Sequence, residues 1–249
     1  MKWKEKLLIF LKKISEGLNK PTSKHNNVVK IQIIWYNIDS YRGDKMIENK
    51  LGITNEVELA KEEERITKLK ALELFDTNKI NEFEVGTYSG LSSIHNYLFS
   101  DIYDFAGKMR NVNLAKGSFR FAPVMYLEEV LKKIDEMPQD NFDDIIKKYV
   151  EMNVAHPFRE GNGRSTRIWL DMILKKEIGK VIDWSKVNRE EYLLAMERSP
   201  IKDTEIKILL ENALTDRAND REVYMKGIDV SYQYEGYNTY TMDELDKNS

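Results

Sequence analysis

The stretch His156-Pro157-Phe158-Arg159-Glu160-Gly161-Asn162-Gly163-Arg164-Ser165-Thr166-Arg167 decides how the rest of this 249-residue chain is read. It holds a titratable base, a carboxylate, a glycine-bracketed turn and two guanidiniums in one short run. Upstream, Phe142, Ile145, Ile146, Tyr149, Val150 and Asn153 repeat at helical spacing. Pro157 has no amide hydrogen and biases its predecessor away from helix, so that helix is expected to stop at His156. Another helix is expected from about Arg164 to Lys176. Between them, Gly161 and Gly163 permit positive φ and close backbone approach to a ligand. Successive amides then face a concavity beside the positive end of the following helix, a geometry that binds phosphate. Arg164 and Arg167 share a helical face and offer planar forks to phosphate oxygens.

A carboxylate beside phosphates is repulsive unless a cation joins them. Glu160 is therefore the expected ligand of Mg2+, an ion held by one or two carboxylates plus substrate oxygens. The unperturbed imidazole of His156 titrates near neutrality and suits the base for an attacking hydroxyl. Phe158 is the expected core anchor of the loop. Together these parts make a nucleotidyl or phosphoryl transfer site, with the transferred group left open. The spacing is not that of a Walker A loop, which needs Gly-x4-Gly-Lys-[Ser/Thr]. Singly, each part has an ordinary explanation: a structural His, a Gly-Asn-Gly turn, two arginines on a solvated face. The ordered combination carries the chemistry.

Working outward, the composition is 41% hydrophobic and 33% charged, as in a soluble globular protein. A net charge of −3 gives no overall pull toward nucleic acid. No apolar run approaches the ~18 residues of a membrane span. Cys is absent, which excludes disulfide and thiolate chemistry and fits a cytoplasmic location. The three histidines, His25, His95 and His156, point away from a His-rich metal site. Residues 1–45 read as a basic extension: up to Lys30, eight lysines stand against Glu5 and Glu16. Trp3, Leu7, Phe10, Leu11, Ile14 and Leu18 predict an amphipathic helix over 3–18, most simply packed on the body. Residues 31–38 read as a strand. The run Leu7–Leu11, closed by Lys12-Lys13, is too short for a secretion signal.

Beyond Met46 the pattern is helical. Residues 55–71 are charge-rich with a stripe of Val57, Ile66, Leu69 and Leu72. Leu91, Ile94, Leu98, Phe99 and Ile102 mark a second helix with Ser89 as cap, and 189–198 and 203–214 mark two more. One segment breaks the rhythm. Arg110–Leu114 and Ser118–Ala122 flank Ala115-Lys116-Gly117, which predicts a β-hairpin closed by Pro123. Such a hairpin either packs on the helices or offers an edge to an incoming peptide. The fold expected is mainly α, one helical domain with a small hairpin.

His156 to Arg167 resembles the Fic motif, His-Pro-Phe-x-[Asp/Glu]-Gly-Asn-Gly-Arg-x-x-Arg, at every specified position. The resemblance extends from about Met46 onward, through Ile94-His95-Asn96-Tyr97-Leu98-Phe99 and Tyr103-Asp104-Phe105-Ala106-Gly107-Lys108-Met109-Arg110. It divides the chain into an extension over 1–45, a Fic core over 46–215 and a tail over 216–249. It implies adenylylation, the transfer of AMP from ATP with Mg2+ to a hydroxyl of a target protein. His156 would be the base and Glu160 the metal ligand. Gly161, Asn162 and Gly163 would be the anion hole, with Arg164 near the β-phosphate and Arg167 near the γ-phosphate. The hairpin would be the flap that registers the target through Ser118, Phe119, Arg120 and Phe121. Ser231-Tyr232-Gln233-Tyr234-Glu235-Gly236 resembles the family's inhibitory motif, [Ser/Thr]-x-x-x-Glu-[Gly/Asn], in its C-terminal class. Ser231 and Glu235 would share a helical face, with Gly236 as the stop, and Glu235 would take the arginine that the γ-phosphate needs. Tyr232 and Tyr234 would be candidates for self-modification. By family analogy the target could be a type II topoisomerase subunit, and a homo-oligomer could hold the helix down. No nucleic-acid or membrane partner is indicated. The alternatives are transfer of another group, removal of AMP, or a non-catalytic ATP-sensing interaction module.

Overall fold

Asn55 starts the first helix, α1 (Glu56–Asp76), by accepting the Glu58 amide on its side chain at 3.0 Å. Thr87 does the same for α2 (Tyr88–Phe99) through the Gly90 amide, so the cap lies two residues before the expected Ser89. The computed structural model describes residues 47–116 and 119–247, and the expected elements at 3–18 and 31–38 lie outside them. After α2 come β1 (Ala115–Lys116) and β2 (Phe119–Arg120), antiparallel, with Ala115 opposite Arg120 and Lys116 opposite Phe119. Then follow α3 (Val124–Asp135), α4 (Phe142–Ala155) and α5 (Asn162–Ile178). β3 (Val181–Ile182) leads through a 3-10 turn, Trp184–Lys186, to α6 (Arg189–Arg198) and α7 (Thr204–Glu211). β4 (Leu214–Thr215) pairs antiparallel with β3 and precedes α8 (Arg221–Tyr234) and α9 (Met242–Lys247).

The hairpin is tighter than expected. Ala115 and Lys116, expected in the turn, pair with Arg120 and Phe119. Residues 110–114 form no regular strand, although the Leu114 carbonyl accepts the Phe121 amide at 3.2 Å. The carbonyls at the hairpin base are taken instead by the Arg110 guanidinium, which bonds Val112 and Ala122. The helix α3 and the β3–β4 pair were not anticipated, although Leu127, Val130, Leu131 and Ile134 follow helical spacing and line the core.

α5 is the central helix and packs against α2, α4 and α8. It is buried nearly all round, so it reads poorly as amphipathic. Trp169, Leu170, Ile173 and Leu174 have no exposed surface, each such side chain contributing about 1.5–3 kcal/mol. The Trp169 indole donates to the Thr87 carbonyl at 3.0 Å, which fixes α5 against the start of α2. α8 and the tail are tied to α1 by buried charges. Lys68 Nζ lies 2.8 Å from Asp229 Oδ1 and 3.2 Å from Glu64 Oε1. Glu64 in turn accepts the Thr239 amide at 3.0 Å and the Tyr240 amide at 3.3 Å.

Candidate active site

The α4–α5 junction places the titratable ring first. The His156 amide donates to the Met152 carbonyl at 3.0 Å and ends α4 there, with His156 itself left-handed at φ 49°. A left-handed non-glycine residue costs roughly 1–2 kcal/mol, so the surroundings must hold it. Its ring stacks on Phe121, at the end of the hairpin, with centroids 3.7 Å apart. Burial first, then the charges of Lys116 and Arg110, push its pKa down to about 3. The imidazole is therefore neutral at physiological pH and, so depressed, a weak base in this arrangement.

The turn that follows is laced by Asn162. Its Oδ1 accepts the Phe158 amide and its Nδ2 donates to the Phe158 carbonyl, both at 2.8 Å. The side chain is committed to the loop, so Asn162 can serve an anion only through its backbone amide. Gly161 is left-handed at φ 75°, and a Cβ there would lie 2.5 Å from the Phe99 ring. It begins α5 without any side-chain cap, which leaves first-turn amides for a ligand. Phe158 is fully buried and stacks on His95 at 3.8 Å, as expected of an anchor.

Both guanidiniums already hold carboxylates. Arg167 donates through Nε to Ser231 Oγ at 2.7 Å, and through Nη2 to the Ser231 carbonyl and Glu235 Oε1, each at 2.8 Å. Glu235 caps the end of α8, and Gly236 beyond it turns at φ 90°. Glu235 Oε2 also lies 3.3 Å from Arg164 Nε. Burial works against ionisation of Glu235, but Arg164 and Arg167 outweigh it and hold its carboxyl below the usual range. Gly163 makes this approach possible: a Cβ there would lie 2.2 Å from Glu235 Oε1. Arg164 binds Glu63 Oε1 at 2.6 Å and Glu160 Oε1 at 3.1 Å. Its guanidinium lies over Phe99, Tyr232 and Tyr237.

Glu160 accepts its neighbouring Gly161 amide at 2.9 Å, and burial, opposed by Arg164, pushes its pKa up to about 7. Among the described residues no group of three or more His, Cys, Asp or Glu is poised to hold a metal alone. One carboxylate completed by substrate oxygens is what Mg2+ ordinarily needs, so Glu160 fits that ion.

The structure brings His156, Glu160, Gly161, Asn162, Gly163, Arg164, Arg167, Ser231 and Glu235 together. Phe121 joins them, Phe119 stacks edge-on to Phe121 at 5.2 Å, and Arg120 is exposed. Ser118 lies outside the described residues. The hydroxyls of Tyr232 and Tyr234 point away from the loop, to Thr67 Oγ1 at 2.6 Å and the Val187 carbonyl at 2.7 Å. Reading the sequence missed Glu63, Tyr103 and Tyr237. Glu63 accepts from Arg164, from the Tyr237 hydroxyl at 3.0 Å and from the Tyr103 hydroxyl. The signal was present: Leu59, Glu63, Thr67 and Ala71 follow one another at i, i+4 on the buried face of α1.

Residues 86–174 match the Fic/DOC family. The chain is 30% identical over 212 residues to the protein adenylyltransferase VbhT of Bartonella schoenbuchensis, covering 80% of this chain and 41% of VbhT. It is 27% identical over 188 residues to the probable protein adenylyltransferase Fic of Salmonella typhimurium, covering 71% and 91%. The fold matches the crystal structure of BepC from Bartonella tribocorum with bound AMPPNP. The TM-score is 0.56 at 20% identity, over 70% of this chain and 95% of that one.

Proposed function

We propose that this chain, whose residues 86–174 match the Fic/DOC family, transfers AMP from Mg-ATP to a hydroxyl of a target protein. We propose also that its own C-terminal helix holds the reaction down. The observation that carries both is the occupancy of Arg167 by Glu235 at 2.8 Å, directly beside the uncapped start of α5. A guanidinium and open amides form a phosphate site, and an acidic side chain now sits on it.

In the transfer, the neutral imidazole of His156 takes the proton of the target hydroxyl. The hydroxyl oxygen bonds to the α-phosphorus, and the bond from that phosphorus to the pyrophosphate oxygen breaks. A bound triphosphate would raise the imidazole pKa from its closed-state value of about 3 by adding negative charge nearby. Arg164 and Arg167 hold the leaving pyrophosphate, and the α5 amides hold the oxygens that gain charge. Mg2+, held through Glu160, would neutralise phosphate charge. Phe121, stacked on the imidazole, places the hairpin edge beside the base, which suits a target segment lying along that edge. With Glu235 on Arg167, a nucleotide lacks that guanidinium and its α-phosphate is misaligned.

The test is incubation of the protein and a cell lysate with ATP labelled in the α-phosphate. Wild type should label weakly, Glu235→Gly strongly and Glu235→Gly/His156→Ala not at all. The modified band names the target, a type II topoisomerase subunit being the first candidate. Repeating the assay with a chain starting at Met46 tests the extension, and sizing of the wild type tests whether an oligomer holds α8. Self-transfer to Tyr232 or Tyr234 requires α8 to leave first, since both hydroxyls are buried. A mass spectrum of the released variant reads it. The closed site favours one other reading, an ATP-sensing module; ATP binding to Glu235→Gly without any labelling would select it.

A further inference from the structure

The segment Tyr103–Arg110 resembles the family along with the loop; Tyr103 reaches the site through Glu63, but the transfer chemistry gives Arg110 no part. This last residue has an unusual set of partners. Arg110 is 4% exposed, and all four of its side-chain acceptors are backbone carbonyls. Nε donates to His156 at 2.7 Å, and Nη2 donates to Ala155 at 3.1 Å. Nη2 also donates to Ala122 at 2.5 Å, and Nη1 to Val112 at 2.6 Å. The Arg110 amide adds a bond to the Pro157 carbonyl at 2.8 Å.

These acceptors lie on two different parts of the site. Ala155 and His156 end α4, where carbonyls lack helical partners and a cation complements the helix dipole. Val112 and Ala122 are the two sides of the hairpin base. No flexible ammonium could serve both, because three donors on a point charge do not form a planar fork. Burying a charge costs several kcal/mol. A neutral donor pair would join two loops at less cost, so rigidity of the joint is the gain. The same joint is spanned by the His156–Phe121 stack and by the Ala122 amide, which donates to Val154 at 3.0 Å.

We propose that Arg110 is a positioning residue for the transfer reaction: its fork locks the hairpin base to the His156 backbone and so sets where a target hydroxyl on the hairpin edge lies relative to the imidazole. The proposal rests on the adenylyltransferase reading. It places no demand on nucleotide binding, because none of the Arg110 partners belongs to the α5 start or to Arg164 and Arg167. Misplacing reacting groups by about 1 Å costs on the order of 10²-fold in rate.

The experiment compares Glu235→Gly with Glu235→Gly/Arg110→Lys and Glu235→Gly/Arg110→Met. Labelling of the lysate target is measured at saturating ATP, and ATP occupancy by calorimetry on the same samples. Arg110→Lys keeps the cation at the end of α4 and preserves the fold should Arg110→Met not fold. The expected result for Arg110→Lys is an ATP affinity within about two-fold of the parent and labelling per ATP-occupied site reduced about 10²-fold. A merely structural role would lower occupancy and labelling together. Labelling per occupied site equal to the parent's removes the proposal alone. No labelling by the Glu235→Gly parent removes the adenylyltransferase reading and the proposal with it.

Discussion

At the scale of single residues, the absence of one methyl group lets Glu235 reach Arg167 at the proposed phosphate site. A Cβ on Gly163 would lie 2.2 Å from Glu235 Oε1 and 3.1 Å from Arg167 Nη1. Gly163→Ala should therefore evict Glu235 without freeing the site, since the methyl stands where phosphate oxygens would go. Calorimetry should show ATP binding lost in Gly163→Ala but gained in Glu235→Gly; equal binding by the two would refute the placement. Glu63→Ala should leave Arg164 buried without its shortest ion pair and lower stability by about 3–5 kcal/mol, read by urea denaturation. An effect below about 1 kcal/mol would mean that Arg164 is neutralised elsewhere. The chemistry of the loop was legible because its residues are consecutive. Glu63 was not, because it stands 101 residues from its arginine, in a helix whose charged residues read as solvated. Val57 lies on the apolar stripe of the sequence yet is 78% exposed, while Leu59 is buried.

At the scale of elements, helices ended by a breaker were read well and elements fixed by long-range bonds were not. α4 stops at His156 because Pro157 follows, which local stereochemistry shows. The hairpin register depended on Arg110 taking the base carbonyls, which strand periodicity does not show. The tail is the clearest case of a long-range bond. Ser231 and Glu235 were legible from their spacing, but the strap after Gly236 was not. Residues 239–240 give two amides to Glu64, and α9 lies against α1. Arg221 adds ion pairs at 2.8 Å to both Asp76 and Asp246 at the far end of α8. These outer pairs are exposed and contribute little, whereas Lys68 and Glu64 are buried. Truncation after Asn238 keeps Tyr237 on Glu63 but should leave Glu64 short of donors, loosen α8 and raise labelling with Glu235 still in place. Labelling no higher than that of the full chain would show that α8 stays docked without the strap.

At the scale of the whole molecule, buried His95 and half-buried His156, Glu160 and Asp171 shape the response to acid. Burial foremost pushes both His95 and His156 down to about 3, so the unfolded chain takes up their protons first. Their stability contribution is lost as pH falls below about 6.5. Burial pushes Glu160 and Asp171 up to about 7. The folded chain takes up those protons first, which adds stability as pH falls from about 7 toward 4. The two pairs oppose one another between about pH 6.5 and 4.5. Below about pH 4 the histidines act alone, joined by Glu235 as it protonates and releases Arg167. Thermal midpoints should be nearly level from pH 6.5 to 4.5 and fall steeply below 4. A steep fall starting at pH 6.5 would contradict this balance. The mainly helical architecture was legible as a whole, while the centrality of α5 was not, since a helix buried all round shows no apolar stripe.

Nucleotidyl transfer at the loop that starts α5 is the proposal on which the other predictions depend. The most direct measurement labels a lysate with the Glu235→Gly protein in two parallel reactions, one with ATP labelled in the α-phosphate and one with ATP labelled in the γ-phosphate. The expected result is a protein band labelled from the α-phosphate only, and lost when His156 is replaced by Ala. Label arriving from the γ-phosphate, or α-label that survives His156→Ala, would contradict it.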